Sequence, residues 1–160
     1  IITHEHAHIV RDECGAPEFM TGGARLLLAR CADGRISPAQ LEATLADNPA
    51  NVHTVQPAVL SVTQATEFGT AWTPAALAAV SDAAHRHGLA VHMDGARFAN
   101  ALVTLGCAPG DVTWRAGVDV LSFGATKNGA LAAEAVVFFD PQRARDYEFR
   151  RKRSGHLLSK

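Results

Sequence analysis

Short apolar runs alternate along the chain with longer segments whose apolar residues recur every three or four positions. Runs of four to eight apolar residues bounded by turn residues are typical of strands, and the longer spacing is typical of amphipathic helices. The alternation predicts an α/β fold with three layers, in which helices flank a mostly parallel sheet. The clearest predicted strands cover residues 57–66, 89–94, 118–123 and 134–139, and we expect the last of them to be buried.

Two of the predicted helices have start and stop signals. Thr73 is a good N-cap, Pro74 fits the first helical position, and Gly88 fits the left-handed residue that ends the helix. Ser37 and Pro38 give the same start signal to an earlier helix. The sequence contains no internal repeat and no low-complexity linker, so we predict a single domain over residues 1–160.

The first residues, ITHEHAHI, place His4, His6 and His8 at alternate positions. Alternate residues of an extended strand share one face, so three imidazoles could converge on a metal there. A metal-dependent hydrolase is therefore one hypothesis. It is the weaker one, because no spaced histidine and aspartate set further along the chain completes such a site.

Composition narrows the class of protein. Apolar residues make up 48% of the chain, charged residues 19%, and the net charge is −1. These values predict a globular protein, and no apolar run is long enough to cross a bilayer. The sequence shows no secretory signal pattern. We therefore expect a cytoplasmic protein with no membrane partner.

Cysteine and arginine usage exclude two further classes. Cys14, Cys31 and Cys107 are odd in number and far apart, which argues against a disulfide framework or a thiolate zinc site. We predict reduced, buried thiols. Residues 150–153 form the one basic cluster, which is too small for a nucleic-acid surface in a chain of net charge −1.

Three reactive side chains follow two of the predicted strands. Asp94 ends one strand, Lys127 follows the next, and Arg97 begins the helix after Asp94. Ligands of parallel sheets bind outside the carboxyl ends of the strands, so these side chains converge if the two strands are neighbours. A lysine amine can form a Schiff base with pyridoxal phosphate, an aspartate can keep its pyridine nitrogen protonated, and an arginine can bind a carboxylate.

The segments HMDGARFANALVTLG and VDVLSFGATKNGALAAEAVVFF resemble the aspartate and lysine segments of the low-specificity L-threonine aldolases. The segments HEHAHIVRDECGAPEFMTGGARLLL and RRKRSGHLLSK resemble their neighbours in the same family, so the resemblance covers essentially the whole chain. It implies part of the large domain of a type I pyridoxal-phosphate enzyme. The phosphate-binding loop would precede residue 1 and a small C-terminal domain would follow residue 160.

The resemblance also implies roles for individual residues. Lys127 corresponds to the Schiff-base lysine, Asp94 to the partner of the pyridine nitrogen, Arg97 to an arginine for the substrate carboxylate, and His8 to the histidine stacked on the cofactor ring. No metal is then needed. His4 and His6 would lie on the same strand or at its edge.

Three polar residues near these positions have two interpretations each. Ser122 and Thr126 either donate to the cofactor phosphate or bond the local backbone. His92 lies two residues before Asp94 and either supports the site or is a core histidine, and we favour the core.

The implied activity is cleavage of L-threonine or L-allo-threonine to glycine and an aldehyde, with pyridoxal phosphate as cofactor and a homodimer or homotetramer as the assembly. Either His8 or a water would accept the hydroxyl proton. Three alternatives remain: another lyase of this fold, such as a β-eliminating one, the metal-dependent hydrolase, and an inactive fragment. We expect the isolated 160 residues to be inactive, because half of the cofactor site and the covering domain implied by the resemblance would lie outside them.

Overall fold

The computed structural model describes residues 1–157 and contains a six-stranded sheet. The strand order is β2-β1-β3-β4-β5-β6, in which the first five strands are parallel and β6 is antiparallel to β5. The predicted mostly parallel sheet is therefore confirmed. The strands are β1 (Ile2–His4), β2 (Leu27–Ala29), β3 (Val59–Thr63), β4 (Ala90–Asp94), β5 (Val120–Gly124) and β6 (Glu134–Phe138).

Helices flank this sheet, and the two with predicted caps begin as expected. The Thr73 hydroxyl accepts a hydrogen bond from the Ala76 N–H, and the Ser37 side chain and Gln40 form a reciprocal capping box. Within residues 1–157, no helix is both long enough and apolar enough to cross a membrane. The helices are α1 (His8–Arg11), α2 (Ala16–Met20), α3 (Pro38–Ala46), α4 (Pro74–Arg86), α5 (Phe98–Leu105) and α6 (Tyr147–Arg153).

The core lies between the sheet and α4. Leu77 and Val80 of α4 are fully buried, as are Leu60 of β3 and Val91 and Met93 of β4. Side chains alternate between the two faces of a strand, so His92 and Asp94 of β4 point to the face opposite Val91 and Met93. The core thus fixes which face of β4 is available to a ligand.

The hypothesis that the three opening histidines share one strand is wrong, whereas His6 lies just beyond the end of the strand that carries His4, one of the two expected placements. β1 ends at His4, the Ala7 N–H bonds to the His4 carbonyl oxygen in a turn, and His8 begins α1. The strand pairs with its neighbours over three residues or fewer, which is too short to carry all three imidazoles. His4 Nε2 instead lies 2.9 Å from the Cys31 carbonyl oxygen. In the described part of the chain, no group of three or more His, Cys, Asp or Glu side chains could hold a metal ion.

Two predictions of burial are also wrong. The strand predicted at residues 134–139 is present as β6, but residues 134–137 are exposed because β6 lies at the sheet edge with β5 as its strand partner. Cys14 is exposed, whereas Cys31 and Cys107 are partly buried. All three cysteines are free thiols, as predicted.

The turn after β4 has no room for a side chain at Gly95. A Cβ there would lie 2.6 Å from Leu121 Cδ1 and 3.0 Å from the backbone oxygen of Ser122. We expect Gly95→Ala to lower the free energy of unfolding by about 1–3 kcal/mol, because the neighbouring strand must move. Gly124→Ala is the control, since its Cβ would meet the end of the exposed Glu134 side chain. Urea unfolding of both variants measures the difference, and equal losses would contradict the close approach.

Candidate active site

The carboxyl ends of β4 and β5 open into a cavity of about 430 Å³. The two strands are direct neighbours, with Asp94 opposite Ser122 in the register. Asp94, Lys127 and His8 all line this cavity, together with His92 and Ser122. Its volume is in the range of pockets that bind small molecules. The structure therefore brings three of the four predicted site residues to one cavity.

Asp94 is the last residue of β4 and has one oxygen fixed by the backbone. Its Oδ1 accepts a hydrogen bond of 2.9 Å from the Ala96 N–H. Within residues 1–157, no hydrogen bond or ion pair engages Oδ2. This side chain can therefore offer one carboxylate oxygen to a ligand without breaking an existing hydrogen bond.

Lys127 lies in a single 3-10 turn, Ala125–Asn128, that directly follows β5. Its side chain is exposed at the cavity, and among the described residues neither a hydrogen bond nor a salt bridge holds its Nζ. An unpartnered amine of this kind is available for covalent chemistry.

Asn128 connects the Lys127 turn to the Asp94 turn. Its side-chain nitrogen lies 3.2 Å from the Ala96 carbonyl oxygen and 2.5 Å from the Gly124 carbonyl oxygen, and its Oδ1 accepts a bond of 2.9 Å from the Ala99 N–H. These bonds fix the backbone that follows β5 against the backbone that follows β4. Sequence analysis missed this role, because the bonded partners lie about 30 residues earlier in the chain.

His8 is the first residue of α1 and faces two carboxylates. Its Nδ1 lies 3.2 Å from Asp12 Oδ2, and its Nε2 lies 3.0 Å from Glu13 Oε1. The His8 backbone N–H donates a bond of 2.8 Å to Glu67 Oε1, which also accepts a bond of 3.1 Å from the Thr63 hydroxyl. Glu67 therefore ties the start of α1 to the end of β3. Sequence analysis missed both Glu67 and Glu13.

The hydrogen bond from the His8 N–H to Glu67 indicates that the Glu67 carboxylate positions His8. We expect Glu67→Ala to reduce cofactor affinity about three- to tenfold. The start of α1 loses a charge-assisted hydrogen bond worth about 1.5–3 kcal/mol, and only part of this loss acts on the position of His8. Glu67→Gln keeps an oxygen acceptor and should retain most of the affinity. Spectroscopic titration of the variants with pyridoxal phosphate measures both effects, and equal losses in the two would show that the charge, and not the acceptor, is needed.

Arg97 does not reach this cavity. It occupies the N-cap position of α5, is exposed, and is not among the residues that line the cavity. Its role toward a substrate carboxylate stays a prediction.

Ser122, Thr126 and His92, for which the sequence allows two roles each, form hydrogen bonds with other side chains of this protein. Ser122 Oγ lies 2.8 Å from His92 Nε2, and the Thr126 hydroxyl donates a bond of 3.2 Å to Glu134 Oε1. His92 borders the cavity, and serine hydroxyls bond both of its ring nitrogens, so it is a satisfied, largely buried histidine that also stands beside the site. The alternating pattern of β4 carried the signal, because His92 and Asp94 lie on one face and Val91 and Met93 on the other.

Comparison with known proteins agrees with this geometry. The model of the family described as Beta-eliminating lyase matches residues 1–160. The chain belongs to this family. Two relatives, both named low specificity L-threonine aldolase, are similar over all 160 residues: 46% identical for the protein of Pseudomonas sp. (strain NCIMB 10558) and 47% for that of Pseudomonas aeruginosa. The chain spans 46% of the length of each.

Solved structures of relatives share the fold. A threonine aldolase of Leishmania major superimposes with a TM-score of 0.89 at 30% identity, over 98% of this chain and 45% of that chain. A protein described as a putative L-allo-threonine aldolase of Listeria monocytogenes superimposes with a TM-score of 0.75 at 18% identity, over 99% of this chain and 42% of that chain. The second likeness concerns the fold alone. The predicted resemblance to threonine aldolases is confirmed.

Proposed function

We propose that the protein carrying this chain cleaves L-threonine or L-allo-threonine to glycine and acetaldehyde with the help of pyridoxal phosphate. One observation carries the proposal: an unpartnered amine, Lys127, and an unpartnered carboxylate oxygen of Asp94 open into the same cavity of about 430 Å³ within the described residues. The two named Pseudomonas relatives support the substrate class.

The residues present fit this cofactor. Lys127 would hold its aldehyde carbon covalently, and the free Asp94 oxygen would bind the protonated ring nitrogen. His8 lines the same cavity and would lie against the ring, as the family resemblance implies. When bound, pyridoxal phosphate supplies an electron sink for the pair released as a substrate bond breaks.

The remaining steps belong to protein groups and substrate. A base takes the proton of the β-hydroxyl, the Cα–Cβ bond breaks, acetaldehyde leaves, and a proton returns to Cα to give glycine. His8, or a water beside it, would be that base. For His8 to take the proton, one of its ring nitrogens would have to turn away from the Asp12 or Glu13 carboxylate that faces it. Arg97 does not line the cavity, so its side chain would have to turn toward it from the N-cap of α5 to bind the substrate carboxylate bidentately. We further propose a homodimer or homotetramer in the cytoplasm.

A second candidate is β-elimination, which the family description favours. From threonine, aldol cleavage releases glycine and acetaldehyde, whereas β-elimination releases ammonia and a 2-oxo acid. Incubating the full-length protein with threonine and cofactor, followed by assays for all four products, separates the two. Glycine and acetaldehyde in equal amounts are expected. Formation of the 2-oxo acid without glycine would contradict the proposed reaction.

A further inference from the structure

Three polar side chains form a hydrogen-bonded chain across three neighbouring strands beside Asp94. Ser61 Oγ of β3 lies 2.9 Å from His92 Nδ1 of β4, and His92 Nε2 lies 2.8 Å from Ser122 Oγ of β5. Ser61 stands opposite His92 in the register of β3 and β4, and Ser122 stands opposite Asp94 in the register of β4 and β5. We refer to Ser61, His92 and Ser122 as the serine–histidine chain.

The members of this chain differ in their relation to the cavity. His92 and Ser122 line it, whereas Ser61 is 4% exposed and is not among the lining residues. Both ring nitrogens of His92 are bonded, so the ring is held from two sides. Burying polar side chains costs free energy unless each of them is hydrogen-bonded. An apolar side chain could fill the same volume without this requirement.

The charge state of the ring matters because His92 and Asp94 share one face of β4. Burial lowers the pKa of His92, and the negative charge of Asp94 opposes this effect only in part. Lys127 also lines the cavity, and its positive charge disfavours a protonated imidazole, as a charged His8 would, whereas the carboxylates of Glu13 and Glu134 in the same lining favour it. Burial is the largest effect on this ring, so the pKa of His92 lies below its ordinary value and the neutral form is favoured. A protonated His92 would partly neutralise the Asp94 carboxylate. The attraction of Asp94 for the protonated pyridine nitrogen of the cofactor would then be weaker.

We propose that the serine–histidine chain is a positioning device of the cofactor site: Ser61 and Ser122 hold the His92 ring from both sides as the cavity wall beside Asp94. This inference rests on the proposed function, since it concerns the group that Asp94 binds. It assigns His92 to contact with the cofactor ring and Ser61 to an action that runs through His92.

Ser61 gives the sharpest test, because it does not line the cavity. We expect Ser61→Ala to weaken the affinity of the full-length protein for pyridoxal phosphate about two- to tenfold, the equivalent of one hydrogen bond. His92→Leu should weaken it at least as much. In the double variant, Ser61→Ala should add less than about a twofold loss, because the hydroxyl then has no ring to hold. His92→Gln, which can both donate and accept, should recover most of the affinity.

Ser81→Ala is the matched control. Ser81 is also fully buried, its hydroxyl has no partner among the described residues, and it lies on α4 away from the cavity. Circular dichroism would show that each variant is folded, and Ser61→Ala and His92→Gln carry the test if His92→Leu does not fold. Native affinity in Ser61→Ala, or losses that multiply in the double variant, would overturn the inference alone. Absence of cofactor binding in the unmodified protein would overturn the proposed function as well.

Discussion

Replacing Lys127 with alanine is expected to abolish the visible absorbance of bound pyridoxal phosphate and to reduce threonine cleavage by about a thousandfold or more. Lys127 supplies the amine for the covalent bond to the cofactor in the proposed site. One positioned general acid or base contributes about 10²- to 10⁴-fold to a rate, and we expect loss of the covalent amine to have an effect in this range or larger. The absorbance spectrum and the rate of glycine formation by the full-length variant measure the two effects.

Lys127→Arg is the matched variant for this prediction. Arginine keeps the positive charge at the cavity but has no amine that condenses with an aldehyde. We expect it to retain weak, non-covalent cofactor binding and to lose the absorbance and the activity as completely as the alanine variant. Wild-type absorbance in Lys127→Arg would show that another amine forms the bond.

Replacing Asp94 with asparagine should have the second largest effect. Asparagine keeps the shape of the side chain and the Oδ1 that accepts the bond from the Ala96 N–H, but it removes the charge. A carboxylate next to a cation raises the pKa of the cation by about 1–3 units, so the protonated fraction of the ring falls about 10- to 1000-fold without it. We expect turnover to fall by a similar factor and cofactor affinity to fall less.

Asp94→Glu provides the comparison that isolates charge from position. It keeps the carboxylate but moves it by one methylene, so it should be more active than Asp94→Asn if the charge is the main contribution. The rate of glycine formation at saturating cofactor compares the two variants. Full activity in Asp94→Asn would contradict the role of this carboxylate.

The main site residues could be predicted because strand ends carry a strong local signal. β4 and β5 are apolar runs followed directly by Asp94 and by the turn with Lys127, and neighbouring parallel strands expose their carboxyl ends at one edge. His8 was assigned by family resemblance instead, since the local pattern suggested a strand that the structure does not have.

The supporting contacts could not be predicted because they join distant parts of the chain. Glu67 bonds the His8 backbone across 59 residues, and Asn128 bonds the Ala99 N–H across 29. Neither Glu67 nor Asn128 belongs to a sequence motif that indicates its hydrogen-bond partner. A similar lack of information explains the error on β6, because an apolar run of five or six residues is the same in the middle of a sheet and at its edge.

His92 shows which features of the site the alternating sequence pattern can predict. The alternation of β4 places His92 on the face of Asp94, which the sequence indicates directly. Whether that face lies in the core or in a cavity depends on what covers it, and the structure supplies this information through the cavity at the strand ends.

Chemical trapping tests the central claim most directly, namely that the Lys127 amine and the Asp94 carboxylate hold one cofactor between neighbouring strand ends. The full-length protein would be loaded with pyridoxal phosphate, reduced with borohydride, digested and analysed by mass spectrometry. We predict that the cofactor mass is found on Lys127 and that Asp94→Asn raises the cofactor concentration needed for half-maximal labelling without moving the label. A label on Lys152, or no label on any peptide of this chain, would contradict the account.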